Sequence, residues 1–528
     1  MSKKLVLLGD QAIAQAAIDA KISGVYAYPG TPSTEITEYI QDSSEAKEFG
    51  VFSKWCTNEK TAMEAALGTS YVGKRSIVCM KHVGLNVAAD AFINSALTGC
   101  NGGLIVIVAD DPSMHSSQNE QDSRFYGKFA GITILEPSSQ QEAYDMIGYG
   151  FELSERMKLP VMLRITTRMA HSRAVVECGA QVAKQAEISF PENTRDWILL
   201  PAIARRKYAG LLEAQGALMS EGVASGYNTY VSGEDKSMGI IACGLAYNYL
   251  MENFEGKCPY SVLKIAQYPV PEDLICKLAV ESESLLILEE GQPLVEEMIK
   301  GILPTPCPVK GRLDGTLPRM GELTPDSVRV SLGLKAWSAK DESKLVVARP
   351  PALCVGCGHR DVYNALNEVV ATLEDAKVFA DIGCYTLGAL PPFQAINSCV
   401  DMGASITMAK GAADAGLKYS IAVIGDSTFT HSGMTGLLDA VNSNANITVI
   451  ISDNLTTAMT GGQDSAGTNK LEAICIGLGV DPAHIKVVVP LPKNMQEIKQ
   501  VLSEEINYKG LSVVIPRREC IQTLKKHK

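Results

Sequence analysis

The sequence has no apolar run approaching the roughly 18 residues that a membrane-spanning helix needs. Its opening, Met1-Ser2-Lys3-Lys4-Leu5-Val6-Leu7-Leu8-Gly9-Asp10, turns polar too soon for a secretory signal. Surplus positive charge is missing too. Against 59 Asp+Glu stand 48 Lys+Arg, a formal net charge of −11. With no excess cations to neutralise phosphates, general binding to nucleic acid or to an anionic membrane surface is not expected. Short-period repeats and low-complexity tracts are absent. Charged residues at 20% and hydrophobic residues at 46% exclude a disordered or collagen-like chain. What is present is length and sulfur. At roughly 150 residues per domain, 528 residues suggest three or four domains, each able to bury a core. Fourteen cysteines without a secretion signal read as reduced thiols of a cytoplasmic protein, with a metal site among them as one option, and not as a disulfide framework.

Three αβ-rich stretches alternate with two polar ones. Over residues 5–185, short apolar runs such as Ser76-Ile77-Val78-Cys79-Met80 and Leu104-Ile105-Val106-Ile107-Val108 read as buried parallel strands. The Ala-rich segments 59–70 and 86–97 between them read as helices. Residues 190–236 show no strand signal and are expected to form a linker containing one helix. A second αβ unit has strands at 239–244, 261–265 and 285–290, and a Pro- and Gly-rich stretch, 304–349, leads out of it. The last unit has strands at 377–381, 420–425, 447–452 and 511–516. The rhythm of strand, helix, strand predicts an α/β protein with mainly parallel, doubly wound sheets. The expected domains are 1–189, a linker at 190–236, 237–345 and 346–528.

The sharpest motif lies in the last unit. The run Tyr419-Ser420-Ile421-Ala422-Val423-Ile424 leads straight into Gly425-Asp426-Ser427, and a second strand ends in Asp453-Asn454. The gap of 27 residues between Asp426 and Asn454 holds one helix and a return strand. Both residues are therefore expected at carboxyl ends of parallel strands, where such sheets hold ligands. A carboxylate, an amide oxygen and a nearby carbonyl, from Asp426, Asn454 and Thr456, are hard ligands suited to Mg²⁺ on a diphosphate. Gly425 allows a close backbone approach, and the helix after Ser427 points N–H groups at phosphate. The tripeptide alone is an ordinary strand-to-helix turn. Its distance from Asp-Asn matches the spacing of the thiamine-diphosphate signature, and Thr460-Gly461-Gly462-Gln463 would close over that cofactor.

The same unit opens with Cys354-Val355-Gly356-Cys357-Gly358-His359. Cys-x-x-Cys binds metals, forms redox pairs or simply packs. Cys384 and Cys520 follow predicted strands. If all strands run parallel, all four cysteines converge near Asp426 as candidate ligands of a [4Fe-4S] cluster. A four-Cys zinc site and buried hydrophobic thiols are the competing readings. The other ten cysteines are expected mostly to pack.

These segments, with Tyr28-Pro29-Gly30-Thr31-Pro32-Ser33, Asn58-Glu59-Lys60, Met80-Lys81-His82-Val83-Gly84-Leu85-Asn86, His115-Ser116-Ser117-Gln118-Asn119-Glu120-Gln121-Asp122 and Asp381-Ile382-Gly383-Cys384, carry a resemblance over nearly the whole chain. The chain resembles the large (α) subunits of indolepyruvate:ferredoxin oxidoreductases, within the thiamine-dependent 2-oxoacid:ferredoxin oxidoreductases. The resemblance implies three transketolase-like domains. The first would bind the cofactor's aminopyrimidine, the second would resemble a transketolase C-terminal domain, and the third would hold Mg²⁺ and diphosphate.

In the residue roles that it implies, Glu59 hydrogen-bonds the pyrimidine N1′ and favours the tautomer whose 4′-nitrogen deprotonates the thiazolium C2. Gly30 lies at the cofactor. Thr31, in the loop after the first strand, contacts the substrate carboxylate, and a cation is expected from the 115–130 loop, either Arg124 or Lys128. His82, in a loop, is a candidate proton donor, with His359 and His431 as lesser ones. The implied reaction takes an arylpyruvate and coenzyme A to an aryl-acetyl-CoA, CO₂ and two low-potential electrons.

A small (β) subunit, a dimer of heterodimers, and ferredoxin as electron acceptor are the implied partners. The chain stops eight residues after Cys520, without the family's C-terminal ferredoxin-like domain, so that module is expected in another subunit. The alternatives are a non-redox thiamine-dependent 2-oxoacid decarboxylase, which needs no cluster, and a non-catalytic subunit that keeps the fold.

Overall fold

A computed structural model describes residues 3–179, 184–191, 193–301, 306–337, 343, 345–347 and 351–526. Of the Pro- and Gly-rich stretch 304–349, residues 304, 305, 338–342, 344, 348 and 349 lie outside the described residues. The chain divides into two compact units, Met1–Lys340 and Asp341–Lys528. No helix among the described residues is long and apolar enough to cross a membrane.

The first unit carries two large sheets. One has the strand order Gln267–Tyr268, Ile134–Leu135, Val161–Thr166, Leu104–Asp110, Ser76–Lys81, Gly24–Ala27. Every pairing in it is parallel except the first, where Gln267 opposes Leu135 antiparallel. Its central strands are buried throughout because helices cover both faces. Successive side chains point to opposite faces. Ile77 and Cys79 therefore join one core, and Val78 and Met80 the other. Burial on both sides is why these runs read as continuously apolar and not as alternating. The second core continues into the other sheet through Ile241 and Leu263.

That second sheet has the order Val309–Lys310, Leu285–Leu288, Asp235–Cys243, Tyr260–Ile265, Thr229–Val231. The linker reading needs correcting here. Pro201–Ala224 is the expected helix, but Thr229–Val231 is a strand, antiparallel to Tyr260–Ile265, and the next strand already begins at Asp235. A three-residue edge strand leaves no periodic apolar signal to read. Residues 3–8 form a further strand, Lys3–Leu8, paired antiparallel with Arg173–Cys178 outside the main sheets.

The second unit holds one six-stranded sheet in the order Ser398–Cys399, Lys377–Ala380, Ser420–Gly425, Ile447–Ser452, Ser512–Pro516, Ile485–Val488. All its pairings are parallel. Ile421 and Val423 pack into one core, Ala422 and Ile424 into the other. The architecture is α/β with mostly parallel sheets, as expected from the sequence.

Candidate functional site

Parallel strands bring their carboxyl ends to one edge. In the first unit that edge gathers Gly30-Thr31 beyond Gly24–Ala27, His82 after Ser76–Lys81, Asp111 after Leu104–Asp110 and Thr167 after Val161–Thr166. Thr31 follows the second strand of the chain, because Lys3–Leu8 precedes it. His82 is not in a loop: Ser76–Lys81 runs directly into the helix His82–Thr98, which His82 begins. The imidazole is buried, with Nε2 3.2 Å from Asn119 Oδ1 and Nδ1 unpartnered.

Glu59 opens the helix Glu59–Tyr71, which Asn58 caps by accepting from the Thr61 N–H at 2.8 Å. Its carboxylate is buried, 5% exposed, and packs against Gly84. A Cβ at Gly84 would lie 2.6 Å from Glu59 Oε1, so the glycine makes the room that the carboxylate occupies.

The two candidate substrate cations part company. Arg124 is a correction: it is fully buried, and all its donors are committed. Nε donates to Asp122 at 2.9 Å, Nη2 to Asp122 and to the Glu290 and Gln292 carbonyls at 2.5, 3.1 and 2.9 Å. Nη1 meets Tyr268 OH at 3.1 Å and Glu289 at 3.0 Å. With Arg164, which binds Asp110 and Glu136, it forms a buried ionic lattice between the first unit's two sheets, so it cannot hold a substrate. Lys128 stands exposed on the last turn of Arg124–Ala130.

A cation that the sequence reading passed over sits at the edge instead. Lys81 is 8% exposed, and its Nζ donates to Ser116 O at 2.8 Å and to Ser116 Oγ at 3.2 Å. Burial pushes its ammonium down to about 8 against the pull of Asp111. Asp111 orders this loop, accepting from Ser116 N, Ser117 Oγ and Thr167 Oγ1 at 2.8, 2.5 and 2.7 Å. The one available signal was a lysine ending an otherwise apolar strand. From three helices, Gly9–Asp19, Thr34–Asp42 and Thr167–His171, the residues Asp10, Glu35 and His171 bring their ligand atoms within 4.8 Å of one another. Burial raises the Asp10 carboxyl well above the usual range, while Glu35 faces His171 at 3.5 Å and each favours the other's charge. Burial thus favours the protonated form of Asp10, whose two carboxyl oxygens are buried with no hydrogen-bond partner beside this pair.

In the second unit, the register places Gly425 opposite Ser452, so Asp426 and Asn454 leave adjacent strands side by side. Asp426 is 2% exposed, and its Oδ2 is buried with no hydrogen-bond partner. Burial pushes its carboxyl up to about 7. An orphaned acceptor beside an amide and a strand end is what a hard cation would satisfy, so the residues fit Mg²⁺. Ser427 Oγ and Thr457 Oγ1 are 2.9 Å apart across the opening. Asn454 Oδ1 accepts from Thr456 N at 3.2 Å, and Thr456 Oγ1 donates to Gln463 O at 2.8 Å. Thr460 Oγ1 donates to Gln463 Oε1 at 2.5 Å, and Gly461 and Gly462 turn with φ of 129° and 97°. The helix begun by Asp426–Thr428 widens into a π turn, Phe429–Gly433, where His431 is buried with Nδ1 2.6 Å from Ser432 Oγ. Such turns recur at functional sites.

Cys354, Cys357, Cys384 and Cys520 line one cavity of about 110 Å³, with Asn454 and His359 in its wall. Topology gathers them. Cys384 follows Lys377–Ala380, Cys520 follows Ser512–Pro516, and Cys357 caps the helix Gly358–Val370, whose N-terminus reaches the same edge. The Cys520 N–H donates to the Asn454 carbonyl at 3.1 Å, which ties the thiol set to the Asp453-Asn454 strand end. Burial, reinforced by the other three thiols, pushes Cys384 up to about 12. His359 lies 3.2 Å from Cys357 Sγ and is held neutral by burial, pushed down to about 4. Among the described residues only Asp10, Glu35 and His171 bring three ligand atoms within 4.8 Å. No three of the four sulfurs therefore lie mutually within that distance, whereas thiolates on a zinc tetrahedron stand roughly 3.8 Å apart. Irons and sulfides between the thiolates of a cluster would fill such a gap. Of the other ten cysteines, Cys276 and Cys399 are exposed and not packed.

Two family models match: "Pyruvate flavodoxin/ferredoxin oxidoreductase, thiamine diP-bdg" over residues 15–201, and "Thiamine pyrophosphate enzyme, C-terminal TPP binding domain" over residues 381–515. The fold is similar to that of a 2-oxoglutarate:ferredoxin oxidoreductase from Magnetococcus marinus, with a TM-score of 0.51 at 14% identity over 62% of this chain and 65% of that one. The chain is 38% identical to the indolepyruvate oxidoreductase subunits IorA of Pyrococcus horikoshii and Archaeoglobus fulgidus, spanning 98% of this chain and 86% of each relative. The IorA subunit of Methanothermobacter marburgensis is 37% identical over 98% of this chain and 87% of its own length. On this likeness, the chain belongs to the family of indolepyruvate oxidoreductase IorA subunits.

Proposed function

We propose that this chain is the thiamine-diphosphate-binding catalytic subunit of an enzyme that oxidatively decarboxylates an arylpyruvate, with coenzyme A as acyl acceptor. The observation that carries this reading is in the second unit. There the Asp426–Asn454 pair and the four-cysteine cavity share one sheet edge and are joined through the Cys520–Asn454 hydrogen bond. A non-redox decarboxylase has no use for the second feature, and relatives named oxidoreductase subunits support the redox reading over it.

Thiamine diphosphate, when bound, would supply an acidic thiazolium carbon as nucleophile and an electron sink for the decarboxylation. The chain's residues do the rest. Glu59, buried at a helix start, holds a proton at the pyrimidine N1′. Asp426 and Asn454, with Thr456, hold Mg²⁺ against the diphosphate, and Ser427 and the turning glycines Gly461 and Gly462 bring backbone close to it. Thr31 orients the substrate, and His82, with a free Nδ1, holds or delivers a proton there. Cys354, Cys357, Cys384 and Cys520 hold a [4Fe-4S] cluster suited to one-electron steps. A small β subunit completes the enzyme as a dimer of heterodimers, and ferredoxin or a ferredoxin-like subunit in the cytoplasm accepts the electrons.

The test is anaerobic preparation of the chain with its partner subunit. The expected result is a brown protein with about four irons and four acid-labile sulfides per chain. Cys357→Ala removes the iron, and Asp426→Ala abolishes Mg²⁺-dependent thiamine diphosphate binding in calorimetry. Colourless protein that turns arylpyruvate into aldehyde would overturn the proposal.

A further inference from the structure

Buried charges in proteins are normally paired. In the first unit Lys21 meets Glu45 at 2.8 Å, Lys264 meets Glu142, and Arg124 and Arg164 sit among carboxylates. Lys81 does not follow this pattern. Its ammonium is buried, its two hydrogen bonds both go to Ser116, and among the described residues no carboxylate lies within ion-pair reach. Asp111 acts on it only from beyond Ser116. An ammonium has three donors, so one is left over.

The surroundings say what that donor faces. Lys81 ends a strand at the ligand-bearing edge of the parallel sheet, immediately before His82. Its Cβ is 3.5 Å from where a Cβ on Gly30 would sit, so its stem lies against the Gly30-Thr31 turn. Ser116 Oγ, which holds the ammonium, also reaches Thr31 O at 3.5 Å. The loop that was expected to provide a cation thus provides the serine that aims one, while Arg124 is consumed in the ionic lattice.

We propose that Lys81 is the cation that binds the carboxylate of the 2-oxoacid substrate, alongside Thr31. This rests on the function proposed above and deepens it: the site selects a monocarboxylate through one point charge held on the sheet, without a bidentate arginine. Holding the charge there uncompensated in the free protein is consistent with a group whose partner arrives with the substrate.

The experiment uses the holoenzyme with its partner subunit, thiamine diphosphate and Mg²⁺. It compares inhibition by 3-phenylpropionate, a non-reacting carboxylate, with inhibition by 3-phenylpropanamide, its neutral isostere. Lys81→Met is expected to raise the KM for phenylpyruvate and the inhibition constant of 3-phenylpropionate roughly ten- to a hundredfold. Inhibition by the amide, the Tm and thiamine diphosphate affinity should stay near wild type. Lys81→Arg should recover part of the carboxylate preference. Lys81→Gln is the second variant should methionine prevent folding. An unchanged carboxylate-to-amide ratio in the neutral variants overturns the Lys81 assignment. Wild-type protein that binds no thiamine diphosphate instead overturns the function on which the assignment rests, so the two failures are told apart.

Discussion

Gly84→Ala is a one-carbon change that reads the position of Glu59 directly. Gly84 is the third residue of the helix His82–Thr98, and its backbone is helical, so alanine introduces no strain and favours the helix by up to ~1 kcal/mol. The new methyl, however, would stand 2.6, 2.7 and 2.8 Å from Glu59 Oε1, Cγ and Cδ. Ordinary carbon–carbon contact begins near ~3.5 Å, so the carboxylate must withdraw by roughly 0.8 Å. A side chain gives way more easily than two helix backbones, and an off-rotamer Glu59 costs about 0.5–1.5 kcal/mol. Gain and cost nearly cancel, so the Tm should move little. If Glu59 activates the cofactor as proposed, a misplacement near 1 Å there is worth ~10²-fold in rate. The assay is kcat of the holoenzyme at saturating thiamine diphosphate, together with Tm. Gly68→Ala is the control, because that glycine sits in the Glu59 helix with nothing within 4 Å of its Cβ position and should leave kcat alone. A Gly84→Ala enzyme with wild-type kcat would refute the reasoning, because Glu59 would then not be acting where the structure holds it.

The ionic lattice gives a stability prediction: Arg124→Met leaves Asp122 and Glu289 buried without their cation and should cost about 3–5 kcal/mol in denaturant unfolding, whereas Lys128→Ala should stay within ~0.5 kcal/mol. Equal effects from the two would contradict the assignment of Arg124 to structure. The His171–Glu35 pair gives a pH prediction, because Glu35 raises the imidazole above its ordinary 6.5. A raised folded value means that the contribution is fully present below pH 6.5 and is lost as pH rises through the folded value. The Tm gap between wild type and His171→Gln should therefore be wider near about pH 5.5 than near about pH 8.5. A gap that does not change with pH would show that the pair is not charged.

The α/β class, the buried parallel strands and the diphosphate motif were legible in the sequence, because each has a local cause. Ser76–Lys81 and Ser420–Gly425 are apolar because both faces are covered. The spacing of Asp426 and Asn454 is the length of one helix and one strand, whereas Glu59 was singled out only by the family resemblance, since a glutamate at a helix start is otherwise an ordinary dipole-stabilising residue. Order along the chain also let four cysteines be singled out from fourteen, once all-parallel pairing was assumed. The short edge strand Thr229–Val231 escaped, because three residues carry no period.

What only the tertiary structure decided is which charges are spent. Arg124 and Lys81 look alike in the sequence as cations within motif-bearing segments. The first meets Asp122 and Glu289 across two sheets, and the second meets one serine at the ligand-bearing edge. Pairing of a charge depends on residues more than a hundred positions away, such as Glu289 for Arg124, and no local pattern records it. The sequence by itself determined which strands end in chemistry-bearing residues. Three-dimensional packing determined which of those residues are already satisfied and which still have a bond to give.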